Sequence, residues 1–66
     1  MVTIGDAVLA FMRSQDRPVR LTEIYDAVDA AQGRKVPRSG IRQHMNTYVP
    51  RRYERVDKGL YRLRVG

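Results

Sequence analysis

Cysteine and tryptophan are absent from this sequence of 66 residues, and histidine and phenylalanine occur once each. Without cysteine there is no disulfide framework and no zinc finger to stabilise so short a chain. One histidine without cysteine makes a transition-metal site implausible, so no metal is expected. No apolar run approaches the roughly 18 residues of a membrane span. The charged-then-apolar pattern of a secretory leader is also missing. The chain is therefore expected to work in a reducing, soluble compartment: the cytoplasm, in company with the nucleoid, or the nucleus of a eukaryote. Catalytic groups are scarce too. Ser14, Ser39 and His44 are the only material for a nucleophile and its base, and nothing in the spacing unites them. No glycine-rich phosphate loop is present. The expectation is a protein with no enzymatic activity, no catalytic residues and no cofactor.

What is abundant is positive charge. Thirteen Lys and Arg oppose seven Asp and Glu, for a net charge of +6. Residues 1–33 carry three basic and five acidic side chains, a net −2. Residues 34–66 carry ten basic side chains against Glu54 and Asp57, a net +8. One acidic half and one basic half imply a supporting side and a side that binds a polyanion. Hydrophobic residues make up 42% of the chain, enough for one small folded domain over residues 1–66 and too many for disorder.

The hydrophobic pattern predicts three helices and a hairpin. Thr3 reads as an N-cap with Asp6 as its capping partner. Ile4, Ala7, Val8, Phe11 and Met12 then share a helical face as far as Ser14–Gln15. Asp16-Arg17-Pro18 breaks that helix, and Val19-Arg20-Leu21 is a short extended stretch. Thr22 is expected to cap a second helix with Ile24, Ala27, Val28 and Ala31 inward and Glu23, Asp26 and Asp29 outward. Gly33 is its natural stop. Arg34-Lys35-Val36 reads as a basic loop, and Pro37 as the first residue of a third helix. That helix buries Ile41, Met45 and Tyr48, places His44 at the core edge, and ends at Pro50. Residues 52–56 and 60–64 read as strands around a three-residue Asp57-Lys58-Gly59 loop. The implied pairs are Val56 with Leu60, Arg55 with Tyr61, Glu54 with Arg62, and Tyr53 with Leu63.

The stretch Ser39-Gly40-Ile41-Arg42-Gln43-His44-Met45-Asn46 resembles the recognition helix of forkhead-type winged helices, Asn-Ser-Ile-Arg-His-Asn-Leu-Ser. Tyr53-Glu54-Arg55-Val56 and Gly59-Leu60-Tyr61-Arg62-Leu63 resemble the wing strands of that family. The Gly-x-Tyr-x-Leu ending is common to many winged helices. With no tryptophan and a short wing, the chain is similar to the winged helix-turn-helix superfamily at large. The resemblance implies an α+β fold: three helices, a short strand after the first, and a C-terminal two-stranded wing. It also implies double-stranded DNA as the partner, with the third helix in the major groove.

The candidate DNA-binding residues follow from that placement. Arg38, Ser39, Arg42, Gln43 and Asn46 lie opposite the apolar stripe of the third helix. Arg suits guanine O6/N7, and Gln or Asn suits adenine N6/N7. Arg42 is the strongest single candidate. Arg34, Lys35, Arg51 and Arg52 flank that helix and suit phosphates. Lys58 stands at the wing tip. Arg55 suits either a phosphate or a stack on Tyr61, and Arg62 either a phosphate or an ion pair with Glu54. Gly40 admits two readings, close approach to DNA or to the second helix, or a place in the first turn. Two other functions remain open. One is a protein-interaction module docking through the acidic second helix. The other is an RNA or single-strand binder using Tyr25, Tyr48, Tyr53 and Tyr61. A chain of this size suits a monomer or weak dimer with a short footprint.

Overall fold

A computed structural model describes residues 3–64. The elements run α1 (Ile4–Arg13), β1 (Val19–Arg20), α2 (Leu21–Gln32), α3 (Arg38–Tyr48), β2 (Tyr53–Asp57) and β3 (Leu60–Leu63). The strands form an antiparallel sheet in the order β1-β3-β2. This α+β arrangement, with its C-terminal hairpin, is compatible with winged-helix topology. No helix of the described residues is long and apolar enough to cross a membrane.

The start of α1 is a reciprocal cap. The Asp6 amide donates to Thr3 Oγ1 at 3.1 Å, and the Thr3 amide donates to the Asp6 carboxylate at 3.5 Å. Two otherwise orphaned amides are thereby satisfied. Ala7, Val8 and Met12 are buried, while Ile4 and Phe11 are half-buried. The helix ends at Arg13 with Ser14 as its C-cap, slightly short of the expected limit.

The entry to α2 differs from the sequence expectation. Thr22 is not the cap; Arg20 is, and the helix begins at Leu21. Glu23, expected on a free outer face, reaches back instead. Its carboxylate accepts the Arg20 amide at 3.0 Å and the Arg17 guanidinium at 3.1 and 3.2 Å. Pairing of β1 with β3 holds Arg20 extended, and the Leu21 amide donates to the Gly59 carbonyl at 3.0 Å. Leu21 is thus the first residue free to turn. The apolar stripe of Ile24 and Val28 is buried, with Ala27 half-buried; it reaches solvent in the last turn, where Ala31 is exposed.

Gly33 ends α2 in the left-handed region, at φ 69°, a conformation in which a Cβ is strained. Asp29, expected to face solvent, closes the turn that follows. Its Oδ1 accepts the Val36 amide at 2.8 Å, and its two oxygens accept the Arg38 guanidinium at 2.8 and 2.9 Å. Val36, read as part of a basic loop, is 3% exposed and belongs to the core. Pro37 is the N-cap of α3 and not its first residue.

The hairpin keeps three of the expected pairs: Tyr53 with Leu63, Glu54 with Arg62, and Arg55 with Tyr61. The fourth differs. Asp57, not Val56, faces Leu60, with a bulge between Arg55 and Asp57. The Lys58 amide donates to Asp57 Oδ1 at 2.7 Å, and Gly59 takes φ 69°, so the loop tightens to Lys58-Gly59. The extra residue, Val56, turns outward and is 45% exposed. Ile24, Ile41, Met45, Val8, Val19, Val28 and Tyr53 are the fully buried side chains between the helices and one face of the sheet.

These contacts predict two stability effects. Thr3→Ala should cost about 1 kcal/mol of unfolding free energy. The Val36 amide, and then the Arg38 guanidinium, hold the Asp29 carboxyl below its ordinary value of 3.8. A depressed folded pKa gives stability that is complete above the unfolded value and is lost as pH falls through the folded one. Urea titrations should show Asp29→Asn to be less stable than the parent near neutral pH. The gap should close in acid below about pH 4.

Candidate nucleic-acid interface

Burial of Ile41 and Met45 turns the opposite side of α3 to solvent. Ser39, Arg42, Gln43 and Asn46 are exposed there and, with Thr47, line one open surface. Ser39, Arg42, Gln43 and Asn46 have no side-chain hydrogen bond or ion pair among the described residues. Their donors and acceptors are available to a ligand. Thr47 is not among the residues expected from the sequence, although it continues the four-residue spacing of Ser39 and Gln43. Its hydroxyl donates to the Gln43 carbonyl at 2.8 Å.

The cations divide into committed and free. Arg38 is committed: besides its Asp29 bonds, it lies over the Tyr25 ring, 4.9 Å from the centroid. It is half-buried and props the start of α3 against α2. Arg52 lies over the Tyr48 ring at 4.6 Å, so the cation–π contacts fall at Arg38 and Arg52 and not at Arg55. Arg62 pairs with Glu54 at 3.0 Å, both side chains being about half exposed. Such a pair contributes less than about 1 kcal/mol, so a phosphate can displace it at small cost. Arg34, Lys35, Arg42, Arg51, Arg55 and Lys58 are exposed and form no ion pair among the described residues. Arg34 and Lys35 precede α3, Arg51 follows it, and Lys58 tips the hairpin.

Two concavities bring some of these groups together. Arg42 and Asn46 of α3 share a cleft with Arg55 of β2, floored by Leu21, Met45 and Tyr61. Lys58 shares another with Arg20 and Thr22 at the start of α2.

The back of α3 is held by a polar contact at the edge of the core, where His44 is half-buried. His44 Nε2 and the Tyr53 hydroxyl are hydrogen-bonded at 2.9 Å, and the His44 ring lies 4.7 Å from that of Tyr48. A Cβ on Gly5 of α1 would meet the His44 ring at 3.1 Å, so α1 also closes on this histidine. Burial, and then the Arg52 charge, hold the His44 pKa below its ordinary 6.5; burial pushes the Tyr53 phenol up. Gly40 lies in the first turn of α3, and a Cβ there would make only ordinary contact with Ile4 at 3.6 Å. Its nearest neighbour is therefore α1 and not α2.

Comparison with protein-family models, curated proteins and solved structures finds no match to this chain.

His44 makes the fold sensitive to pH. The folded state favours the neutral ring, so stability is complete above the unfolded pKa of about 6.5 and declines as pH falls through the lowered folded value. Denaturation midpoints should fall between about pH 7 and pH 5. His44→Gln should flatten that decline.

Proposed function

We propose that this protein is a winged-helix module that binds double-stranded DNA, laying α3 in the major groove and the β2–β3 hairpin along the backbone. The observation that carries the reading is the division of the charges. Glu23, Asp29 and Glu54 are occupied by Arg17, Arg38 and Arg62. The solvent face of α3 contains no acid and is bordered by unpaired cations at both ends. Unpartnered amide, hydroxyl and guanidinium groups on a helix suit the base edges of the major groove. Arg34, Lys35, Arg51 and Lys58 suit the phosphates that set register and orientation.

The tyrosines give little support to a single-strand platform. Tyr53 is buried, and Tyr25 and Tyr48 each lie under a guanidinium. Stacking of successive bases needs exposed rings. The role that fits is a DNA-binding regulator or accessory factor with no catalytic step. A short footprint calls for a second copy or a tethered partner where high selectivity is required.

A mobility-shift titration of a random duplex tests the proposal. Binding should weaken steeply with salt, with a log–log slope of about −0.9 per phosphate neutralised. Lys58→Ala should make the slope shallower by about 0.9 and weaken all sequences alike. Absence of duplex binding at low salt would refute the reading.

A further inference from the structure

We infer that the cleft between α3 and the hairpin is a seat for one backbone phosphate of duplex DNA, held jointly by Arg42 and Arg55. The inference rests on the DNA-binding reading above and deepens it. From the helix alone, Arg42 is a reader of guanine; the cleft assigns it a different task.

Arg55 follows Tyr53 by two residues in β2, and side chains two apart share a face of a strand. That face is the one that buries Tyr53 against the helices. Arg55 is exposed on β2, which is an edge strand of the sheet. From the other wall, Arg42 and Asn46 are one helical turn apart and line the same cleft. Its volume is about 210 Å³, and its floor is Leu21, Met45 and Tyr61.

Two guanidinium groups on one small concavity repel each other unless an anion lies between them. Neither has an ion-pair partner among the described residues. The acids of this half are elsewhere. Glu54 is adjacent in β2, hence on the opposite face of the strand, and pairs with Arg62; Asp57 accepts the Lys58 amide. Arg presents planar donors that suit phosphate oxygens, and the Asn46 amide adds a neutral donor. A phosphodiester group offers this set an anion that both guanidinium groups can share and oxygens that accept from all three side chains. A base edge does not, because base edges carry no charge for the second guanidinium. With Arg42 and Asn46 turned to the backbone, Ser39, Gln43 and Thr47 are left as the row that faces base edges.

The salt slope counts phosphates, so it separates the possibilities. Parent, Arg42→Ala, Arg55→Ala and the double variant would be titrated with one random duplex over a range of salt. A shared phosphate predicts that the double variant loses about 0.9 of slope in total. It also predicts that the losses of affinity do not multiply, and that Arg42→Ala weakens all sequences alike. A loss of about 1.8 would mean two separate phosphates and overturn the seat. So would an unchanged slope accompanied by lost base preference in Arg42→Ala. A second measurement places neutral methylphosphonate links singly along the duplex. One position should weaken the parent and leave the double variant indifferent; absence of any such position would also overturn the seat. If the parent binds no duplex at low salt, the DNA reading itself falls, an outcome distinct from parent binding with additive slopes.

Discussion

The fold depends on one carboxylate. Asp29 stands in the last turn of α2 and accepts both the amide of Val36 and the guanidinium of Arg38. The first bond draws Val36 into the core, and the second fixes where α3 begins. The same guanidinium covers the Tyr25 ring, so α2 and α3 meet through a stack as well as an ion pair. Gly33 permits the sharp reversal, yet permission alone does not aim the next helix. Asp29 supplies the direction, and every side chain on the outer face of α3 inherits its position from that clamp.

The clamp also illustrates how the acidic half serves the basic half. Glu23 closes the start of α2 and binds Arg17; Asp29 opens α3 and binds Arg38. Each of these acids pairs with a cation beside a helix start, and of the remaining cations only Arg62 has an acidic partner among the described residues. Among the described residues, most of the unpaired positive charge lies along α3, its flanks and the hairpin, with Arg13 and Arg20 outside that set. The His44–Tyr53 hydrogen bond, closed over by Gly5, holds the inner side of that helix. This directional contact adds to the burial of Ile41 and Met45 in orienting α3.

Much of this was legible in the chain. Thr3 and Asp6, Gly33, and the alternation through residues 53–63 identify α1, the end of α2 and the hairpin register by local rules. Local rules fail where a partner lies across a turn. Asp29 binds residues seven and nine positions ahead, and its helical position reads as solvent-facing. Arg20 and not Thr22 is the cap of α2, because β1 holds Arg20 extended and Glu23 accepts its amide. The loop tightened because the Asp57 side chain captures the Lys58 amide and expels Val56. The row Ser39, Arg42, Gln43 and Asn46 follows from helical periodicity. That Arg42 shares a cleft with Arg55 does not, because it depends on how α3 lies against the sheet.

The bond between the Leu21 amide and the Gly59 carbonyl has a thermodynamic consequence. It ties the tip of the hairpin to the first turn of α2, while the Arg52 amide ties its base to the Tyr48 carbonyl at the end of α3. A hairpin anchored at both ends is not a flap that closes on contact. Association then demands little loss of backbone entropy from this element, so its approach to a ligand resembles the docking of a rigid edge.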